Sequence, residues 1–358
     1  MHAATPSPDL PLFRARRNVF ACGLLALLVV GAACGSGGNA SRATVDSVVA
    51  WTDRIPVEET TDVVTVFPIV RLDPAGGFLV VDPHECQFRR YDRHGKLLAH
   101  FGSKGQGPKE FERPTVAIRL PSREILVIDR RVKFTILDST GTQLVRTVVP
   151  PVGAIEDADV VDDSTVLLAG LAGADPDSPM LHLWDYRRNQ VRRSFFRPFS
   201  SYRYKDVAAT AGWVQAAIRA DTIAATFSPS DTVYLFSVDG TSLASIPIPP
   251  SHFRKAYPLS NAAEADLQRR REWLSTFDLV AAVSWADTAG FLVPYQSFVN
   301  GRPIWKLLGV RRTGRLWFDD PDAPRLLTAD SLGQELVFVE QGAEVPNRWR
   351  IASVRRRS

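Results

Sequence analysis

The chain has 358 residues, 45% of them hydrophobic and 23% charged, with a formal net charge of +4 and three cysteines. That length buries a sizeable core, and so small a net charge argues against a nucleic-acid-binding protein. Arginines are scattered, apart from Arg269-Arg270-Arg271 and Arg355–Arg357, and both runs read as solvated surface.

The first element is Val19–Ala33, 15 apolar or small residues preceded by Arg14, Arg16 and Arg17. A basic flank, a short apolar core and a small-residue end make a secretory signal. The run is shorter than the roughly 20 residues of a bilayer-spanning helix. Gly31-Ala32-Ala33-Cys34 resembles a bacterial lipobox, with Gly31 where such boxes carry Leu. The resemblance implies cleavage before Cys34 and acylation of its sulfur and amine; an ordinary secretory signal with an incidental Cys34 is the alternative. Residues 1–33 are therefore expected to be a lipoprotein-type signal peptide, and residues 34–43 a lipidated cysteine and flexible tether built on Gly35-Ser36-Gly37-Gly38. No acidic residue follows Cys34 directly, which by the sorting rule of such proteins implies an outer-membrane address. Removing 1–33 takes away three Arg and one Asp, leaving 325 residues and a net charge of +2. A lipidated Cys34 leaves Cys86 without a partner in its own chain, so no disulfide framework holds the fold.

From residue 44 onward two strand pairs alternate. The first is an apolar strand, a turn and a second apolar strand, as in Ile69–Leu72 with Phe78–Val81 and Val116–Leu120 with Ile125–Ile128. It recurs at Ala158–Val161 with Val166–Leu168, Val214–Ile218 with Thr222–Thr226, Val280–Trp285 with Gly290–Val293, and Arg325–Leu327 with Leu336–Val339. The second begins with a strand that leads into a tight turn at His94-Gly95, Thr140-Gly141, Arg188-Asn189, Asp239-Gly240 or Thr313-Gly314. Such turns between apolar runs signal hairpins, because Gly and Asn accept positive φ. The turn positions 95, 141, 189 and 240 lie 46, 48 and 51 residues apart, and the 74 from Gly240 to Gly314 leave about 28 for an insertion. Four strands at this period mark a propeller blade. The spacing predicts an all-β, six-bladed β-propeller over 44–358 with four-stranded blades. The sixth blade lacks its outer strand, so an N-terminal segment, Thr44–Trp51 or Val63–Phe67, is expected to close the ring. The insertion, about 251–277, reads as a helix from Asn261 to about Leu274, with Asn261 and Glu264 spaced as a capping box, lying over one face.

Phe101-Gly102-Ser103-Lys104-Gly105-Gln106-Gly107-Pro108-Lys109-Glu110-Phe111 follows the Asp92–Gly95 hairpin and precedes Pro114 and a strand ending in Asp129. This segment closely resembles an NHL repeat, with Lys109 in place of the usual Gly. The resemblance implies a six-bladed propeller of the kind found among bacterial envelope lipoproteins. A phosphate-cradle reading fails for want of a Gly-Lys-Ser/Thr ending.

Propeller knowledge places the loops between second and third strands on one face with the blade-to-blade crossings. That face collects His84, Lys104, Arg113, Arg130, Arg131, Tyr202, Tyr204, Gln296 and Arg302, residue types suited to charge-assisted hydrogen bonds and low-entropy contact. They are the candidate binding residues for a protein, peptide or glycan, on loops borne by a rigid scaffold. Each alone reads as solvated loop surface. Asp82, His84, Glu85 and Cys86 are of metal-ligand types, but Asp82 occupies the strand end that Asp129 occupies one repeat later, where a carboxylate serves its own turn. No His-Glu-x-x-His or Gly-x-Ser-x-Gly motif occurs, and no cofactor is expected. A non-catalytic binding module is the expectation; a metal-dependent hydrolase or lyase at the channel, drawing on Glu85, Asn300 and Asp206, is the alternative.

Overall fold

The computed structural model describes residues 43–130, 133–170, 178–198, 207, 211–249, 253–256, 267–299, 302–340 and 346–355. Cys34, Arg131, Tyr202, Tyr204, Asp206, Asn300 and the Asn261–Glu264 capping box lie outside the described residues.

Six antiparallel sheets stand around a central channel. The first blade is β2 (Ile69–Leu72), β3 (Phe78–Asp82), β4 (Gln87–Tyr91) and β5 (Leu97–Phe101). The second is β6 (Pro114–Arg119), β7 (Ile125–Asp129), β8 (Lys133–Leu137) and β9 (Leu144–Val148), and the third β10 (Ile155–Val160), β11 (Thr165–Gly170), β12 (Leu181–Asp185) and β13 (Gln190–Phe195). The fourth is β14 (Val214–Arg219), β15 (Thr222–Phe227), β16 (Thr232–Ser237) and β17 (Ser242–Pro247). The fifth holds β18 (Leu279–Val280), β19 (Ser284–Asp287), β20 (Gly290–Val299), β21 (Arg302–Arg311) and β22 (Leu316–Asp320). The sixth is β23 (Leu326–Ala329), β24 (Leu336–Val339) and β25 (Arg348–Val354), completed by β1 (Val49–Pro56). The inner strands neighbour one another in turn, and β23 meets β2.

Closure falls to the first of the two expected N-terminal segments, at a shifted position. Val45–Val48 is a short helix, α1, pinned by Val45 N–H donating to Asp320 Oδ2 at 2.7 Å. The strand begins at Val49, and β1 pairs with β25 from Val49–Val354 to Pro56–Arg348. Joining the two ends of the chain in one sheet seals the ring with backbone hydrogen bonds.

Apolar side chains between blades form the core. Each adjacent pair of blades encloses one cluster, for example Val80, Tyr91, Val337 and Trp349 between the first and sixth. The second strands β3, β7 and β11 are buried throughout, whereas outer strands such as β9 and β17 are largely exposed. Continuous apolar runs in the sequence thus mark strands covered on both sides, and the polar ones mark the rim.

The expected strand Val280–Trp285 is broken. β18 and β19 both pair with β20, leaving Ala281–Val283 between them. Pro294 of β20 faces the break and has no N–H to give the inner strand; its carbonyl still accepts Ala281 N–H at 2.9 Å.

The insertion contains α2 (Leu267–Leu274). Trp273 is its buried anchor and packs edge-on against Phe277 at 4.9 Å. With Val207, Ala211, Ala256 and Leu279 it forms a satellite cluster separate from the six inter-blade cores.

The NHL-like crossing folds about its own glutamate. Glu110 Oε2 accepts Gly107 N–H at 2.8 Å, so the loop's amide cradle already holds a carboxylate from the same chain. Phe101 and Phe111 are buried with ring centroids 6.1 Å apart. Gly102 lies at φ +100°, and a Cβ there would fall 2.5 Å from the Phe111 ring. Positive φ belongs to Gly102 and Gly105 rather than to Gly107.

Candidate functional site

The face bearing the crossings and the second-to-third-strand loops is organised by aspartates at the ends of second strands. Asp82 Oδ2 accepts Val66 N–H at 2.8 Å and Phe67 N–H at 3.0 Å, while Oδ1 accepts His84 N–H at 3.0 Å. Asp129 repeats the device one blade on, accepting Glu112 N–H at 2.9 Å and Arg113 N–H at 2.8 Å. These carboxylates serve their turns and the preceding crossing, where the irregular backbone needs acceptors.

His84, Lys104, Arg113 and Arg130 stand together over the first two blades. His84 is exposed, with Nδ1 2.8 Å from Glu85 Oε1. Cys86 lies beneath, its thiol donating to Glu112 O at 3.3 Å; burial pushes that thiol up. Lys104 and Arg113 are exposed, and Arg130 N–H donates to Arg113 O at 3.2 Å. The Arg130 side chain is not a free loop group: it forms an ion pair with Glu156 of the third blade. Gln296 and Arg302 belong elsewhere and are strand residues rather than loop residues. They sit in a hairpin of two ten-residue strands, with Val299 opposite Arg302 and Gln296 opposite Trp305. The fifth blade carries this hairpin, across the ring from the second. The extra pairs, from Pro294 opposite Leu307 to Val299 opposite Arg302, continue the ladder beyond the length of the other blades' strands.

Beside the hairpin is a group that the sequence did not single out. Arg325, on the crossing into the sixth blade, lies with its guanidinium 4.4 Å from the Phe67 ring and 4.9 Å from the Trp305 ring. Burial lowers its pKa to about 10 despite Asp82, and Nη2 donates to Pro68 O at 3.3 Å. Around this stack Val64, Val66, Phe67, Val299 and Ile304 are exposed, Val64 and Phe67 each at 47%. The available signal was Val63–Phe67, an apolar run with no partner strand. Val66 and Phe67 donate their amides to Asp82; Val63 and Thr65 are buried, while the side chains of Val64, Val66 and Phe67 are left at the surface.

The channel itself is tied across. Arg71 of β2 pairs with Asp157 of β10, spanning from the first blade to the third. Asp157 Oδ2 accepts Ala216 N–H at 3.2 Å and Asp159 Oδ2 accepts Ile218 N–H at 3.1 Å, joining the fourth blade. Burial pushes Asp159 up to about 6, against the pull of Arg71. Arg119 grips Asp73 with two hydrogen bonds of 2.5 and 2.7 Å, and Arg90 adds a third at 3.2 Å. No group of three His, Cys, Asp or Glu among the described residues could hold a metal ion. Of the residues weighed for a metal-dependent enzyme, Glu85 sits at the rim beside His84. The chemistry on offer is binding by cations, aromatic faces and apolar side chains.

No family model and no curated protein matches the chain. Solved structures do. A protein described as exported, from Bacteroides fragilis, shares 11% identity over 88% of this chain and 97% of its own, with a TM-score of 0.61. BamB from Moraxella catarrhalis shares 10% over 86% of this chain and 100% of its own, at 0.45. At 11% identity the likeness to the Bacteroides fragilis protein is one of fold.

Proposed function

We propose that this chain is an envelope-anchored, NHL-like propeller lipoprotein that binds a protein or peptide partner on its loop face without catalysing a reaction. What supports the binding reading is the patch around Arg325. A cation sits between the Phe67 and Trp305 rings, exposed aliphatic groups surround it, and a two-stranded hairpin of ten-residue strands stands beside it. Contiguous apolar surface rimmed by polar groups marks interaction sites. Aromatic and arginine side chains carry disproportionate energy there, and a protruding hairpin offers backbone edges for strand addition. The anchor reading rests on Val19–Cys34 and the glycine-serine tether. The likeness in fold to a protein described as exported, from Bacteroides fragilis, is in keeping with export.

A photo-crosslinking residue at Ile304 or Phe67 in the anchored protein tests the face directly. A discrete crosslinked species is expected, lost on Trp305→Ala and absent with a probe at Val149, a site just after the outer strand β9 that is 80% exposed. Equal crosslinking from both places would refute the proposal. Cys34→Ala should release the protein from the membrane fraction.

A further inference from the structure

The opposite mouth of the channel has a different chemistry. It opens on the face of the first-to-second-strand hairpins, away from every candidate residue named from the sequence. Each of the six inner strands or its adjoining turn lines a cavity of about 560 Å3 there, within the range of small-molecule sites. Its walls are partly apolar, with Ile118, Val161, Ile218 and Val283 among the lining side chains.

We propose that this mouth binds a small organic anion, a carboxylate on an apolar body, with Arg219 as the residue that receives the charge. Arg219 ends β14 and lines the cavity. Its Nη1 is buried and meets no acceptor among the described residues, and Nε of Arg71, which lines the same cavity, is in the same state. The other cations at this mouth are engaged. Arg119 is held by Asp73, Arg93 lies 3.1 Å from Glu335, and Arg71 spends Nη2 on Asp157. Arg219 also lines a neighbouring cavity of about 830 Å3, where Arg311 is 2.8 Å from Asp287 and Arg355 donates to Val49 O at 2.8 Å. Arg219 has no such carboxylate. A buried guanidinium donor without an acceptor is costly and rare, and its planar fork matches a carboxylate. The apolar walls favour a ligand with a hydrocarbon portion over inorganic phosphate. Asp159 faces the same space from the third blade and opposes an anion there.

The experiment is calorimetric titration of residues 41–358 with octanoate, octanol and octylammonium at pH 7.5. Octanoate should bind at least tenfold more tightly than octanol or octylammonium. Arg219→Gln should remove that preference, Arg219→Lys should retain part of it, and Asp159→Asn should strengthen octanoate binding. Equal affinity for the three ligands in the wild-type protein would overturn the proposal without recourse to any variant. So would an octanoate affinity unchanged in Arg219→Gln. Arg302→Ala on the loop face should leave octanoate binding as in wild type, which separates this site from the partner surface proposed above; a loss there would count against it.

Discussion

His182 should make the propeller acid-sensitive, and Asp159 should conceal it. His182 lies in β12, is 6% exposed, and has Nδ1 2.8 Å from Ser194 Oγ. Burial alone lowers its pKa from the ordinary 6.5 to about 4. Between those values the unfolded chain binds a proton that the folded chain refuses. The neutral imidazole's contribution is therefore complete above pH 6.5 and is lost as pH falls through 4. From pH 7.5 to 4.5 the loss is about 2.5 kcal/mol. Asp159 works in the other direction. Its carboxyl is held at about 6 against an ordinary 3.8, so the folded chain binds the extra proton, and acidification over the same interval relieves about 2 kcal/mol of burial cost. The two nearly cancel in the wild-type protein. Guanidinium unfolding followed by circular dichroism at pH 7.5 and 4.5 separates them. Relative to wild type, His182→Gln should gain about 2.5 kcal/mol and Asp159→Asn should lose about 2 kcal/mol on going to the lower pH. The difference cancels every other carboxylate. A His182→Gln difference that is the same at both pH values would refute the account of the buried imidazole.

Gly102→Val forces a β-branched residue to positive φ and into the Phe111 ring, costing about 2–5 kcal/mol by strain plus overpacking; an unaltered melting temperature would count against the crossing's geometry. Gly107→Ala should cost much less, because φ there is ordinary and the nearest group is the movable Glu110 carboxylate at 2.9 Å. Deleting residues 41–56 removes β1 and uncovers Trp349 and Ile351. That protein should be protease-sensitive throughout, and resistance equal to the intact chain would show that the ring needs no closing strand. Arg325→Leu should leave stability within about 1 kcal/mol, since it removes a cation that burial disfavours, while abolishing the crosslink from Ile304; a crosslink of wild-type yield would show that the stacked cation takes no part.

The blade count was legible because each blade is a local object. Asp-Gly and related turns at 46- to 51-residue spacing fix hairpins that pair with their sequence neighbours, and Gly95, Gly141 and Gly240 all adopt φ between +82° and +85°. The turn role of Asp82 was legible for the same reason, since its turn partners His84 and Glu85 lie two and three residues on. The break opposite Pro294 could have been read from the proline, but only with the pairing register in hand. The grouping of Phe67, Trp305 and Arg325 could not be read, because the crossing into the first blade, a strand of the fifth blade and the crossing into the sixth blade supply them. Arg130 looked like a free loop cation until the third blade brought Glu156 to it.

Chain chemistry alone determined a four-strand repeat and six sheets, because local turn geometry and short-range apolar alternation encode both of them. The tertiary structure decided which residues share a mouth of the channel. Arg71 meets Asp157 across 86 positions, and Arg219 Nη1 meets no acceptor among the described residues while Asp73, Asp157 and Asp287 are held by Arg119, Arg71 and Arg311. Circular closure sets those encounters, and no property of any one repeat contains them.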